Sequence, residues 1–246
     1  VFFGDPASPK LWDELDEWLQ LELDHQSGSA VKLSAVAIDT GGHHTQRVYD
    51  FCRLRKHRHV IAIKGQSTRN RPVVGRPTNQ DISLKGKTIR GGVQLWPVGS
   101  DTAKSVWYGR FGVDEGAGSV HFSTELDDEF YAQLTAEKLV TRYHKGHPRT
   151  EWVKPSHKRN EVLDCSVYSL AAAYHLGMNK WSQRDWQRLE DQVQPITADL
   201  FDSKPAKVKT QSKEIQKPNK NAAKVTQTQR PIRPRNRPGG GFAARW

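Results

Sequence analysis

A strand, a helix and a second strand follow one another within about 35 residues, and this pattern constrains the fold more than any other feature of the sequence. The apolar run at 31–38, "VKLSAVAI", predicts an inner strand covered on both faces. In the next segment Val48, Phe51 and Cys52 share one helical side, and "HVIAIKG" at 59–65 is a second strand. Such a unit places its strands in parallel, with a right-handed crossover. The sequence therefore predicts an α/β fold.

Asp39 directly follows the first strand, and Gly41 and Gly42 come shortly after it. Ligands of parallel sheets bind at the carboxyl ends of the strands, so Asp39 is a candidate ligand at the end of a buried strand. Glycines lack a Cβ, which lets an anionic backbone approach closely. The alternative is that Asp39 caps the following helix while Gly41 makes the turn.

A second carboxylate embedded in apolar sequence is Asp164, within "EVLDCSV" on a predicted late helix that Gly177 ends. A buried charge is costly unless it is paired or holds a metal. If Asp39 and Asp164 converge, their charges repel, and Mg²⁺ or Mn²⁺ would compensate. Two such ions about 4 Å apart can clamp a phosphodiester displacement. Glu161, one turn earlier, is either a further ligand or a first-turn acid facing the helix dipole.

Other polar segments admit two interpretations each. In "SDTAK", Asp101, Thr102 and Lys104 either hold a phosphate at a helix start or include its cap, which would be Ser100 or Asp101. The polar segment 68–92 is interpreted as a mobile loop that, with Lys64, either contacts DNA backbone or is simply solvated. The histidine pairs at 43/44, 57/59 and 144/147 lack a Cys partner and a second pair at helical spacing, so zinc is not indicated.

The remaining elements are predicted from periodicity. They are a helix capped by Ser8 and extending to Leu23, a strand at 92–99, a short strand at 119–122, a helix at 127–136, a hairpin with arms 138–144 and 150–154, and a short helix after Trp181.

Charge divides the chain into two parts. Ser203 to Trp246 contains twelve Lys and Arg and one acid, Glu214, and its net charge of +11 equals that of the whole protein. Residues 1–202 are therefore neutral overall. The basic segment is poor in large apolar residues, which predicts that it is disordered. Its positive charge predicts that it binds polyanions. Its end, "GGGFAARW", is either a docking peptide or a solubilising tail with incidental aromatics.

Two distant cysteines and the lack of any apolar run of about 18 residues argue against a disulfide framework and a membrane span. No signal peptide is visible, and a reducing cytoplasm fits these features.

Five segments occur in a fixed order: "AIDTGGHHTQRVYDF", "VIAIKG", "VGSDTAKSVWYGRF", "FYAQLTAEKLV" and "KRNEVLDCSVYSLAA". Across about residues 1–180 the chain resembles the nuclease domain of the lambda-type (gpA) large terminase subunit of tailed phages. The resemblance implies a ribonuclease H-like α/β fold and a metal-dependent endonuclease that cuts concatemeric double-stranded viral DNA during packaging. It implies Mg²⁺ or Mn²⁺ in a two-metal site.

In that family one metal-binding acid lies on the first strand, one at the end of the fourth and one on a late helix. Asp39 matches the strand-end acid and Asp164 the helix acid, while the first-strand acid has no counterpart. A GxxxxGK[ST] phosphate loop is absent too, so no ATP site is expected. We therefore expect a C-terminal portion of a longer protein, without the first strands of the fold, and weak or no cleavage by this chain alone.

The resemblance also implies partners and an organisation. The partners are double-stranded viral DNA, the terminase small subunit and the portal protein, in the host cytoplasm and without a membrane. The expected organisation is a nuclease domain at 1–180, a short helical extension at 181–202 and the disordered basic tail at 203–246. A non-catalytic DNA- and portal-binding module is the alternative function.

Overall fold

The computed structural model of the protein describes residues 4–84 and 86–194. The chain divides into two compact units, Val1–Thr197 and Ala198–Trp246. The second unit, and with it the predicted disordered tail, lies outside the described residues, as do the last residues of the predicted helical extension.

The first unit contains six α-helices and eight strands among its described residues. The helices are α1 (Pro9–Trp18), α2 (Thr45–Leu54), α3 (Ser100–Arg110), α4 (Asp128–Leu134), α5 (Glu161–His175) and α6 (Gln183–Val193). The strands are β1 (Leu23–Asp24), β2 (Ala30–Val31), β3 (Val36–Asp39), β4 (Val60–Gln66), β5 (Thr78–Leu84), β6 (Lys87–Gly99), β7 (Lys138–His144) and β8 (His147–Val153). Short 3₁₀ turns occupy Lys56–Arg58 and Met178–Lys180.

A mixed four-stranded sheet in the order β3-β4-β6-β5 forms the centre of the fold. β3, β4 and β6 are parallel, and β5 runs antiparallel to β6. The predicted strand–helix–strand unit is confirmed as β3, α2 and β4. The mixed α/β class is likewise confirmed.

β3 is not the inner strand that its apolar sequence predicts. It lies at the end of the four-stranded sheet, and its side chains are partly exposed. The predicted strand 31–38 is also interrupted, because Val31 pairs with Leu23 in a separate two-stranded ribbon. β4 is covered on both faces, since Val60–Ile63 are all buried. It pairs with β3 along one edge and with β6 along the other.

Alternation along β4 builds a core on each side of the sheet. Val60 and Ala62 face α1 and α2, whereas Ile61 and Ile63 face α3 and α5. The first cluster comprises Leu19, Val48, Tyr49, Phe51, Cys52, Val60, Ala62, Ile82 and Val93. The second comprises Ile61, Ile63, Val73, Val98, Ala103, Val167, Leu170 and Ala171. Burial of these apolar side chains is what holds the layers together.

The polar segment 68–92 is largely a hairpin, so its interpretation as a mobile loop is wrong. β5 and the first half of β6 pair within it. The buried residue Ile82 anchors this hairpin in the first cluster, where it packs with Val93 of β6. At 119–122 the predicted strand is absent, since Phe122 instead packs against Phe130 and Tyr131.

Two further elements agree with the sequence patterns. α5 carries Leu163, Val167 and Leu170 on its buried side, and Gly177 follows its end with φ +79°. The predicted hairpin exists as β7 and β8, which form a two-stranded ribbon apart from the central sheet. No helix in residues 4–84 and 86–194 is long and apolar enough to cross a membrane.

Candidate functional site

The carboxyl ends of the three parallel strands lie at one edge of the central sheet. Asp39 is the last residue of β3 and pairs in register with Ile63, while Gln66 of β4 pairs with Gly99 of β6. The chain leaves β6 directly into α3, for which Gly99 is the N-cap. The prediction of Ser100 or Asp101 as the cap is therefore wrong by one or two residues. The residues that follow the three strands therefore lie near one another at this edge.

Asp39 is exposed at this edge, so the prediction that it ends a buried strand is wrong. Its carboxylate makes no hydrogen bond or ion pair within the part of the chain that the structure describes. The cap of α2 is His44, and Thr45 satisfies nearby carbonyls. Asp39 therefore does not cap the helix. A Cβ on Gly41 would lie 3.1 Å from Asp39 Oδ2, so the glycine makes room for this carboxylate.

Asp164 lies in the first turn of α5 and is half-buried. Its Oδ2 accepts a hydrogen bond from Asn160 Nδ2 at 3.1 Å, and Lys104 Nζ lies 3.9 Å from Oδ1. Burial raises the pKa of Asp164; Lys104 opposes this shift, and the charges of Glu137 and Asp39 add to it. The structure thus places the two predicted ligands near enough for their charges to interact.

A buried acid next to Asp164, Glu137, escaped the sequence analysis. Glu137 is 5% exposed, and both of its carboxylate oxygens accept hydrogen bonds from Lys104 Nζ at 2.8 Å. Asn160 Nδ2 joins Glu137 to Asp164 by donating to both carboxylates. Asn160 directly precedes α5, where an N-cap amide is common, but nothing in "TAEKLV" distinguishes Glu137 from a solvated acid.

Tyr168 lies one turn after Asp164 and faces the same edge. Burial is the largest cause that raises the pKa of its hydroxyl, and the charges of Asp39 and Asp164 add to this shift. A Cβ on Gly65 would lie 3.0 Å from Ser100 Oγ and 3.3 Å from the Tyr168 hydroxyl, so both groups converge on the end of β4. The spacing of four residues between Asp164 and Tyr168 was the available sequence signal.

The remaining candidates have other roles in the structure. Glu161 is exposed in the first turn of α5, the position of an acid that faces the helix dipole. It pairs with Arg159 at 3.2 Å. Its own backbone N–H lowers its pKa, and Arg159 adds to this effect. Thr102 Oγ1 donates to the Arg71 carbonyl at 2.6 Å, and Lys104 holds Glu137. Lys64 is exposed at the end of β4.

The donor atoms at this edge suit a hard divalent cation. Carboxylates are preferred by Mg²⁺ and Mn²⁺, which retain several waters as further ligands. Within residues 4–84 and 86–194, both oxygens of Asp39 are free, and Asp164 has one oxygen without a close donor. Among the described residues no group of three or more His, Cys, Asp and Glu side chains forms a metal site. The carboxylates of Asp39 and Asp164 are of the ligand type that such ions bind.

Comparison with known proteins identifies the family. The endonuclease domain of the terminase large subunit gpA matches residues 1–186. The chain belongs to this family. It is 34% identical over 177 residues to the terminase large subunit of Escherichia phage lambda, a match that covers 68% of the chain and 26% of that protein. It is 31% identical over 192 residues to the terminase large subunit of Enterobacteria phage P21, covering 74% and 28%.

The chain thus spans about a quarter of the length of these terminase large subunits. No solved structure matches it significantly. Asp39, Glu137, Asn160, Asp164 and Tyr168 all lie within the segment that matches the terminase endonuclease domain.

Proposed function

We propose that the chain is the metal-dependent endonuclease domain of a phage DNA-packaging terminase and that it cuts concatemeric double-stranded DNA. Asp39 and Asp164 are the proposed ligands of Mg²⁺ or Mn²⁺. Membership of the terminase endonuclease family supports the reaction class. The placement of both carboxylates at the carboxyl edge of a parallel sheet supports the site.

The observation that carries this proposal is the placement of Asp39 at the end of β3 and of Asp164 in the first turn of α5, at the carboxyl edge of the parallel strands. Burial is the largest cause that raises the pKa of Asp164, and the charges of Glu137 and Asp39 add to it, while the Asp39 carboxylate has no partner among the described residues. A cation bound by both carboxylates would offset this repulsion. The ion supplies Lewis acidity towards a phosphodiester and a nucleophilic water. Asn160 and Lys104 orient Asp164, and the hydroxyls of Tyr168 and Ser100 stand at the same edge to bind a phosphate oxygen or a water.

The finer assignments are part of the same proposal. We assign the parallel strands and α5 to a ribonuclease H-like nuclease fold and keep the nuclease domain at 1–180, the helical extension at 181–202 and the basic tail at 203–246. The proposed partners are viral DNA, the terminase small subunit and the portal protein, in the host cytoplasm.

A nicking assay with supercoiled plasmid and Mn²⁺ tests the proposal, applied to this chain and to a version extended at its N terminus. Asp39→Asn and Asp164→Asn should each abolish nicking and weaken Mn²⁺ binding measured by calorimetry. Asp114→Asn, which changes an exposed acid away from the site, is the matched control. The mutant proteins should melt as cooperatively as the wild type.

The outcomes separate the two functions. Nicking that persists at the wild-type rate in both site variants places the chemistry elsewhere. DNA binding without nicking in either chain length, together with no Mn²⁺ binding, favours the non-catalytic DNA- and portal-binding module.

A further inference from the structure

The β7–β8 ribbon and the segment after it form a strongly basic stretch of a body whose net charge is zero. Residues 138–159 contain seven Lys and Arg and a single acid, Glu151, whereas residues 1–202 sum to zero. All seven cations are exposed. The other residues of 1–202 therefore carry a net negative charge.

Register places the arginines of the ribbon on one face. Arg142 is directly opposite Arg149, and the next pair on that face is His144 opposite His147. Like charges directly opposite each other destabilise a ribbon. Glu151 offsets only one of them, by pairing with Arg142 at 2.8 Å, while Arg149 has no ion pair among the described residues. This local cost is explained if the face binds an anion.

The root of the ribbon is fixed beside the candidate site. Lys138 begins β7 immediately after Glu137, whose carbonyl accepts a hydrogen bond from the Tyr108 hydroxyl at 2.6 Å. At the end of β8, Trp152 packs on Tyr108 with 4.6 Å between ring centroids. Its Nε1 also donates to the Asp101 carbonyl at 3.3 Å. Both arms are thus attached to α3, the helix that carries Lys104.

The exposed part of the ribbon has the length of a substantial DNA contact. Seven residues per arm extend about 23 Å from the root, at about 3.3 Å per residue. One turn of duplex DNA measures about 34 Å, so a duplex at the carboxylate edge can follow the ribbon for more than half a turn.

We propose that the arginine face of the β7–β8 ribbon binds the phosphate backbone of the duplex whose strand is cut at the Asp39–Asp164 edge. This inference rests on the proposed function. Guanidinium groups bind phosphates with two parallel hydrogen bonds, and Arg142 and Arg149 face the same side from adjacent strands. The ribbon therefore orients the duplex relative to the carboxylates and contributes no sequence readout.

Fluorescence anisotropy with a labelled 30-base-pair duplex, without divalent metal, measures this contact over a range of salt concentrations. The slope of log K against log salt changes by about 0.9 for each phosphate contact. Arg142→Gln/Arg149→Gln should make the slope less negative by about 2, and Arg149→Gln alone by about 1. Lys180→Gln/Arg184→Gln removes two exposed cations elsewhere and should leave the slope unchanged.

The possible failures are distinguishable. If the wild-type protein does not bind the duplex, the proposed function falls together with this inference. If the wild type binds and the ribbon variants keep its slope while melting at the same temperature, only the inference is overturned. A ribbon that instead binds an acidic protein surface gives this second result. The single variant Arg149→Gln is the control for misfolding, because it removes an exposed side chain that has no ion pair among the described residues.

Discussion

At the scale of single residues, the Lys104–Glu137 pair is the most consequential contact near the site. The two side chains are 11% and 6% exposed, so both charges are largely removed from water. Removing one partner of a buried pair strands the other charge, whereas replacing both by apolar groups of similar size is often tolerated. The pair also holds Asn160, and through it Asp164.

We expect Lys104→Met to lower the free energy of unfolding by about 3 to 5 kcal/mol, because Glu137 remains buried without its cation. Lys104→Met/Glu137→Met should recover most of that loss. Urea denaturation of the wild type and both variants measures the effect. A loss below about 1 kcal/mol in the single variant would show that the Glu137 charge does not depend on Lys104 for its stability.

Residue chemistry explains which parts of the site the sequence could predict. Asp39 and Asp164 are carboxylates surrounded by apolar residues, and that contrast is visible without coordinates. Glu137 and Asn160 become site residues only because α4, β7 and α5 bring together two positions that are 23 apart in the sequence. No local pattern contains that information, and the helix-cap interpretation of Asp39 was excluded only by the structure.

At the scale of elements, α1 is fastened to the end of α2 by one carboxylate. Asp16 accepts a hydrogen bond from Arg55 Nε at 2.6 Å and pairs with Arg58 as well. Arg55 also lies 3.8 Å above the Phe51 ring. These contacts hold the pKa of Asp16 below its ordinary value, with the Arg55 hydrogen bond as the largest cause.

We expect Asp16→Asn to destabilise the protein by about 2 kcal/mol at pH 7, since two charge-assisted hydrogen bonds are weakened. Because the folded-state pKa is lowered, the stabilisation is complete above the unfolded value of about 3.8 and is lost as pH falls through the folded pKa. The difference between the two proteins should therefore shrink below about pH 3. Denaturation at pH 7, 4 and 2.5 measures this; a difference independent of pH would contradict it.

Elements also show why some strand predictions succeed and others do not. The unbroken apolar run Val60–Ile63 predicts a doubly covered strand, and β4 is one. A similar run predicts the same for β3, yet its position at the sheet end leaves it partly exposed. In 68–92, glycines, prolines and cations resemble a loop, while pairing with the long β6 and burial of Ile82 make a hairpin. For β3 and for segment 68–92 the outcome depends on which strands lie beside them in the sheet, and the local sequence does not specify this.

At the scale of the whole molecule, charge is segregated between a neutral body and a basic C-terminal segment. Within the body, the same segregation recurs in the β7–β8 ribbon. Both basic regions attract polyanions, and the ribbon lies beside the carboxylates.

Deletion of residues 203–246 should leave the melting temperature unchanged, because the twelve cations of this segment are accompanied by few large apolar residues. The shortened protein should bind duplex DNA more weakly and with a shallower salt dependence, since phosphate contacts release counterions. Calorimetry and anisotropy measure the two effects. A melting temperature lowered by several degrees would show that the segment packs on the body.

The two cysteines differ in their access to solvent. Cys52 is 1% exposed in the core, and burial raises its pKa to about 12, whereas Cys165 is exposed and adjoins Asp164 in sequence. Burial raises the pKa of Cys165, and the charges of Asp164 and Glu161 add to this shift, so its thiolate forms less readily than that of a free cysteine. The native protein therefore offers a single attachment point for a fluorophore or spin label next to the proposed metal ligand, and occupancy by ions or nucleic acid can be followed there without removing any residue.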